Sequence, residues 1–202
     1  IKLKDLINYS VNVYGEQGVK FTNNNVVKDI LYFLKERIKN LMKEKKIRND
    51  IIEAVSSSHF SDDFLEFNKK CQVFNKNINS DTYNNIIGTY KRVSNIIDDE
   101  LKNDKKNLSG MPESSLFKKD EEENLYKKIN DIRKYFSTSK EKGNYDETLK
   151  ILADSKLITD NFFDNVVVND DNLDIKKNRL ELLQMFCKTY NNFIDFSKIE
   201  GI

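Results

Sequence analysis

The chain has 202 residues and a mass of 23.8 kDa, which is enough for one well-packed core. Its 34 basic residues balance 33 acidic ones, so net charge alone does not indicate a nucleic-acid partner. There is no apolar run of roughly 18 residues to cross a membrane, no signal peptide, and no metal-ligand spacing around Cys71 or Cys187. We expect free thiols in a cytosolic, and hence cytoplasmic, protein. Because the chain begins at Ile1 rather than Met, we also expect a piece of a longer polypeptide.

Helical periodicity dominates the first quarter of the chain. Apolar residues recur at spacings of three and four from Leu3 to Tyr14, and Gly15 with Gly18 is predicted to end this first helix. Thr22 and the asparagines after it are N-cap candidates for a second, longer helix with a basic outer surface. The apolar stripe of that helix consists of Val27, Ile30, Leu31, Leu34, Ile38 and Leu41.

Three short polar pairs predict the starts of the next helices. Asn49-Asp50, Asp62-Asp63 and Ser80-Asp81 each precede a run of apolar residues at helical spacing. Residues 102–120 contain the only proline and predict a loop, long enough to be mobile or to contact a partner.

The second half repeats the helical pattern. Apolar residues at 125, 129, 132 and 136 predict one helix, and Gly143-Asn144 is predicted to break the chain before a short one. Thr159-Asp160 has the composition of an N-cap, and the last helix is expected from about Leu173 into Ile199. The run "NVVVN" is the only strand-like segment, and it is short. The predicted fold class is all-α, a single helical bundle with a leading helix.

The sequence offers little for catalysis. His59 is the only histidine, and it stands between two predicted helices, where a surface or capping role is far commoner than acid–base chemistry. The scattered glycines form no phosphate-binding loop. The acidic runs 98–100 and 120–123 lack the alternation of metal ligands, so we expect solvated helix ends. No catalytic, cofactor-binding or metal-binding residue is predicted.

Basic residues instead cluster on predicted helices, at 35–48, 91–92 and 176–179. Amides that could be exposed, Asn95, Asn165 and Asn178, lie near them in sequence. Cations neutralise phosphates, and amides and rings read unpaired bases, so this mixture suits RNA. The indication is weak by itself, because most charged runs on helices are simply solvated faces.

Four ordered segments carry a family resemblance. They are "TNNNVVKDILYFLKERIKNLMKEKKIRNDIIEAV", "YKRVSNII", "ITDNFFDNVVVNDDNLDIKKNRLELLQMF" and "IDFSKI". Together they resemble the C-terminal region of the beta subunits of bacterial, two-subunit-type glycyl-tRNA synthetases, from about Leu3 to the end of the chain. Residues 1–20 resemble the tail of a preceding helical domain, and residues 21–202 resemble the anticodon-binding bundle.

The resemblance implies a helical bundle of the DALR anticodon-binding type that holds tRNA(Gly) and performs no chemistry alone. It implies that a separate alpha subunit attaches glycine, using ATP and magnesium, within an assembly of two alpha and two beta chains. No cofactor is expected in this chain. The alternative function, which rests on the amphipathic helices alone, is a non-catalytic protein–protein interaction module.

Within the matched segments, six residues are the expected contacts to the anticodon arm: Lys91, Arg92, Asn95, Lys177, Asn178 and Arg179. The cations are expected to hold phosphates, and Arg179 or the asparagines to read base edges. Where the family has an arginine in its "IRxNRL" motif, this chain has Lys176, which cannot make the same planar, bidentate contact.

The preceding turn, Asp164-Asn165, is expected to satisfy backbone groups locally at a helix end, while Phe162, Phe163, Val166 and Val168 enter the core. The alternative interpretation is that the turn sets the angle of the last helix and so presents residues 177–179 to the RNA.

Overall fold

The computed structural model describes residues 2–58, 63–103, 108, 110–138 and 143–200. Within these ranges the chain is helical and contains no strand, which confirms the all-α prediction. His59 and Asp62 lie outside the described residues. The α-helices are α1 (Leu3–Glu16), α2 (Val26–Glu44), α3 (Asn49–Ser57), α4 (Phe64–Asn77), α5 (Asp81–Asn103), α6 (Asp120–Thr138), α7 (Tyr145–Ala153), α8 (Ser155–Asn165) and α9 (Leu173–Asn191). Single 3₁₀ turns occupy Ser114–Leu116 and Phe196–Lys198.

Two of the predicted helix starts are confirmed by side-chain caps. The Asp63 carboxylate accepts hydrogen bonds from the backbone N–H groups of Leu65 and Glu66, and the Ser80 hydroxyl accepts one from Tyr83. Gly143 has a φ of +57°, so it makes the left-handed turn that separates α6 from α7.

Two predicted helix ends were wrong. Thr159-Asp160 lies inside α8, where the Thr159 hydroxyl donates to the Ser155 carbonyl within the helix rather than capping its start. The last helix ends at Asn191, because the Asn191 side-chain carbonyl accepts the Phe196 N–H and the chain turns there into the second 3₁₀ turn.

The core is built around α5, which packs against α4, α7, α8 and α9. Its apolar face buries Ile86, Ile87, Val93 and Ile97. Beside it, aromatic rings from three parts of the chain meet at centroid distances of 5.4–5.9 Å: Phe74, Tyr90, Tyr190, Phe193 and Phe196. Aromatic side chains bury large apolar areas, so this cluster fixes α9 and the chain after it against α4 and α5.

The first two helices are less well covered. In α2 only Met42 is buried, and Ile30, Tyr32, Phe33 and Leu41 of the same helix are exposed. The predicted basic outer surface of α2 is only partly correct, since the Lys39 side chain is 12% exposed and its ammonium pairs with Glu53 of α3. The helix α1 packs on α2, and the predicted domain boundary after residue 20 stays a prediction.

The segment between α5 and α6 was predicted as a loop, and its described part is anchored to the bundle. Pro112 is buried, and Leu108 and Phe117 pack against the core. Glu113 is bonded to α9 through both of its backbone groups. Residues 110–117 therefore form a strap across the start of α9.

Candidate nucleic-acid interface

The helices α5 and α9 run antiparallel and leave a groove along their outer side. At one end Lys176 of α9 pairs with Glu100 of α5 at 2.7 Å, and at the other the Asn191 amide donates to the Tyr90 hydroxyl at 3.0 Å. Val93 is fully buried in the core, whereas Lys91 and Asn95, four residues apart, lie together on the outer side of α5.

The groove between these helices has a volume of about 610 Å³ and is open to solvent. A volume of this size is in the range of small-ligand sites. Its polar lining consists of Lys91, Ser94, Asn95, Asp98, Gln184, Lys188, Asn191 and Ser197, and its apolar lining of Tyr90, Ile97, Cys187 and Phe196. Two lysines face one aspartate, so the lining carries a net positive charge.

The groove lining combines one side chain held by tertiary hydrogen bonds, Asn191, with accessible polar side chains along its edge, which we call the rim: Asn95, Gln184 and Lys188. Asn191 is held from both ends, because its amide donates to Tyr90 and its carbonyl accepts the Phe196 N–H. Gln184 accepts a hydrogen bond from Lys188 at 2.8 Å, and both side chains are accessible. Asn95 is exposed and makes no hydrogen bond to another side chain in the part of the chain that the structure describes. Amide and ammonium donors on the rim can therefore reach a ligand without giving up a tertiary partner.

Arg92 lies on the α8 side of α5 rather than in the groove. Its Nη1 donates to the Asp160 Oδ1 at 3.1 Å, and its Cζ lies over the Phe163 ring, 4.3 Å from the centroid. Asp160 also pairs with Lys156, one turn earlier in α8. The Arg92 side chain remains 46% exposed.

Asn178 and Arg179 are buried, contrary to the expectation that α9 presents them to RNA. The Asn178 side chain makes two hydrogen bonds with the backbone of Glu113, accepting at 2.7 Å and donating at 3.1 Å. The Arg179 side chain is 5% exposed, and its guanidinium donates to the Glu122 and Asp170 carboxylates and to the Val167 carbonyl. Both side chains fasten neighbouring segments to α9.

Glu122 corrects a second expectation, that residues 120–123 are a solvated helix end. Its side chain is fully buried, one oxygen accepts from Arg179 at 2.9 Å, and the other accepts the backbone N–H groups of Lys118 and Lys119. A buried carboxylate needs such complete pairing, because an unpaired charge in the interior is costly. Arg179 and Glu122 thus tie the start of α6, the α8–α9 connection and α9 together.

The pKa values of this cluster follow from the same contacts. Burial by itself lowers the pKa of the Arg179 guanidinium, but the bonds to and charges of Glu122 and Asp170 outweigh it and the pKa lies above its ordinary value. The pKa of the Asp170 carboxyl is lowered, first by the Asn172 backbone N–H and then by Arg179.

Of the six predicted contact residues, the structure brings Lys91 and Asn95 into one groove and leaves Arg92 and Lys177 on the surface. Lys177 is 66% exposed and lies 3.8 Å from the Glu181 carboxylate. Gln184 and Lys188 of the groove were missed by sequence reasoning. Their spacing of four residues on α9, opposite the buried Leu182, Leu183 and Phe186, is the signal that could have found them.

The turn that ends α8 matches its expectation. The Asn165 amide donates to the Asn161 carbonyl at 2.9 Å, Phe162 and Val166 are buried, and Phe163 and Val168 pack against the core. A local hydrogen bond satisfies the polar group, as predicted.

A second groove, between α6 and α8, has a volume of about 470 Å³. Its charged lining is balanced, with Lys127 and Lys128 against Glu121 and Asp131, and Lys127 is paired with Glu123 at 2.7 Å. It is therefore less suited to a polyanion than the α5–α9 groove.

The two cysteines differ in exposure, and Cys187 is only partly buried. Cys71 is fully buried, and burial raises the pKa of Cys71 and of Cys187 to about 12. Among the described residues, no group of three or more histidine, cysteine or acidic side chains is placed to hold a metal ion. None of the described helices is both long enough and apolar enough to span a membrane.

Comparison with known proteins shows the family to which the chain belongs. Beta subunits of glycine–tRNA ligase are similar over 98% of this chain, at 30% identity, in Rickettsia africae and Clostridioides difficile. The one from Sulfurihydrogenibium sp. is 31% identical over 95% of the chain. The chain spans only 27–28% of the length of these relatives. Residues 86–200, more than half of the chain and all of the groove, match the DALR anticodon binding domain, and the chain therefore belongs to that family.

Proposed function

We propose that this chain is the anticodon-binding part of a glycine–tRNA ligase beta subunit, and that the α5–α9 groove receives the anticodon loop of tRNA(Gly). One observation carries the proposal. An open groove lined by amides and lysines lies wholly within the segment that matches an anticodon binding domain. Unpaired loop bases are the part of an RNA that proteins read by sequence, and a groove of this kind offers the required donors and acceptors.

The groove residues divide by chemistry. Lys91 and Lys188 are assigned to phosphates, because an ammonium neutralises charge without directional demands. Asn95 and Gln184 are assigned to base edges, because an amide presents both a donor and an acceptor. Lys177, exposed near the start of α9, is assigned to a phosphate farther along the RNA backbone. Asn178 and Arg179 are assigned to positioning α9 instead of to RNA contact.

The reaction is assigned to other chains. Glycine attachment with ATP and magnesium belongs, in this proposal, to an alpha subunit in a cytoplasmic assembly of two alpha and two beta chains. No residue described above is given a step in that chemistry, and the bundle contributes by holding the tRNA. The bound RNA is thereby oriented for a site elsewhere in the assembly.

The test is tRNA(Gly) binding by the complete alpha–beta enzyme as a function of salt. Replacing Lys91 and Lys188 together by glutamine is expected to weaken binding, because each lysine neutralises one phosphate. The slope of log affinity against log salt should fall by about 1.4, which is roughly 0.7 for each of two phosphates on a single strand. The matched control is the pair Lys127→Gln and Lys128→Gln in the α6–α8 groove, which is expected to leave the slope unchanged.

Anticodon specificity supplies the second arm. The unaltered enzyme should prefer tRNA(Gly) over the same tRNA with a changed anticodon, and Asn95→Ala should reduce that preference. Equal binding of the two tRNAs by the unaltered enzyme would refute the proposed function. An equal loss of affinity in both lysine pairs would instead show that the groove is not the site.

A further inference from the structure

The Arg92 side chain on α5 is 46% exposed, yet both the Phe163 ring and the Asp160 carboxylate hold it in place. The guanidinium carbon lies 4.3 Å from the ring centroid, which is the distance of a close cation–π contact. The Asp160 carboxylate holds the same guanidinium from its edge at 3.1 Å, and Lys156 holds that carboxylate from the other side. An exposed side chain is thus fixed by a ring on one face and a carboxylate at one edge.

The fixed geometry leaves part of the guanidinium open. A guanidinium is planar and has two faces, and the Phe163 ring can contact only one of them. The 46% exposure of the Arg92 side chain agrees with this arrangement. A role limited to joining α5 and α8 does not account for the exposure of the Arg92 side chain. A role as a mobile phosphate contact does not account for the ring and the carboxylate that hold it.

We propose that the open face of Arg92 stacks an unpaired base of the bound RNA, with Phe163 as the support beneath it. Arginine planes stack on bases in complexes with single-stranded RNA, and such stacking accepts any base because every base has a π-face. The inference rests on the proposed function and deepens it. Arg92 follows Lys91 on α5 but lies on the α8 side of that helix, so the stacked base lies beside the α5–α9 groove rather than in it.

The informative variant is Arg92→Lys in the complete alpha–beta enzyme. A lysine keeps the charge and can still pair with Asp160, but it has no plane to stack on a base. We expect tRNA(Gly) to bind about tenfold more weakly with an unchanged salt slope, because the change removes stacking and leaves every phosphate neutralised as before. Phe163→Leu, which removes the supporting ring and keeps an apolar side chain, should weaken binding in the same direction.

The probe that isolates stacking is a set of tRNA(Gly) molecules in which one anticodon-loop nucleotide at a time is made abasic. One position should weaken binding to the unaltered enzyme and have little effect on Arg92→Lys, because the base and the arginine plane form a single interaction that either change removes. The matched control is Arg37→Lys on α2, where the arginine lies 6.0 Å from the Phe33 ring, and no change in affinity is expected there.

Two results would overturn the inference. If Arg92→Lys binds tRNA(Gly) as well as the unaltered enzyme does, the contact only joins α5 to α8. If affinity falls together with the salt slope, Arg92 holds a phosphate. Failure of the proposed function gives a different result, since the unaltered enzyme would then show no preference for the glycine anticodon.

Discussion

Replacing Arg179 tests whether the buried ion pair between Arg179 and Glu122 stabilises the bundle. The Arg179 side chain is 5% exposed and its partner Glu122 is fully buried, so replacing Arg179 by alanine leaves a carboxylate in the interior with no counter-charge. Breaking a buried ion pair by removing one partner typically costs about 3–5 kcal/mol. The carbonyl of Val167 and the Asp170 carboxylate lose a donor in the same change. We therefore expect Arg179→Ala to lower the free energy of unfolding by about 4 kcal/mol, a large part of the total for a domain.

The assay is urea unfolding of the chain followed by circular dichroism at neutral pH. With a urea dependence of about 2 kcal/mol per molar, a decrease of about 4 kcal/mol shifts the midpoint down by about 2 M. Adding Glu122→Gln should recover part of this stability, because glutamine keeps an acceptor for the Lys118 and Lys119 N–H groups and removes the buried charge.

The matched control is Arg92→Ala, which breaks an exposed ion pair with Asp160 and a cation–π contact. Exposed pairs contribute about 0–1 kcal/mol, and an exposed cation–π contact adds about 0.5–1 kcal/mol. A decrease below about 1 kcal/mol in Arg179→Ala, or one no larger than in the control, would refute the claim that Arg179 is a structural residue.

Three further predictions concern stability, pH and reactivity. Gly110→Ala should destabilise the fold by about 1 kcal/mol in urea unfolding, the low end for overpacking, because its Cβ would overlap the end of the Glu181 side chain, which has to shift. Gly88→Ala, at an open position inside α5, should instead stabilise the fold by about 0.5–1 kcal/mol, and equal effects would contradict the close approach of the strap to α9. The pKa of the Asp170 carboxyl is lowered in the folded state, so the contribution of this group to stability is present above its ordinary pKa of about 3.9 and is lost as pH falls through the folded-state pKa. The difference in unfolding free energy between the unaltered chain and Asp170→Asn should therefore shrink on acidification, and a difference that stays constant would contradict the lowered pKa. Burial raises the pKa of the Cys187 thiol to about 12, so alkylation of Cys187 at pH 7 should be slower in the folded chain than in the unfolded chain, and equal rates would contradict the raised pKa.

The helices themselves could be predicted from the sequence because their apolar residues follow the helical period closely. In α6, Leu125, Ile129 and Ile132 recur at spacings of four and three, and all three are buried. The start of α8 could not be predicted in this way. Its Thr159-Asp160 pair has the composition of a cap, but α8 begins a turn earlier, where the Thr159 hydroxyl bonds the Ser155 carbonyl, and Asp160 pairs with Arg92 of α5.

The candidate site was harder to predict because residue type does not tell which way a charged side chain faces. Asn178 and Arg179 were expected outside, although each stands four residues before a buried leucine, Leu182 and Leu183, and therefore on the inner face of α9. Their partners lie 65 and 57 residues earlier in the chain, a separation that no local pattern records. Lys91 and Asn95 were selected from the sequence, and the structure adds that α9 supplies the opposite wall of their groove.

The central claim is that the α5–α9 groove holds an anticodon loop while Arg179 only supports the helix that forms one wall. The most direct measurement is a footprint of tRNA(Gly) on the complete alpha–beta enzyme by lysine modification, with and without the RNA. We predict that bound tRNA protects Lys91 and Lys188 and leaves Lys127 and Lys128 as reactive as before. Protection of the second pair, with Lys91 and Lys188 unchanged, would contradict the claim.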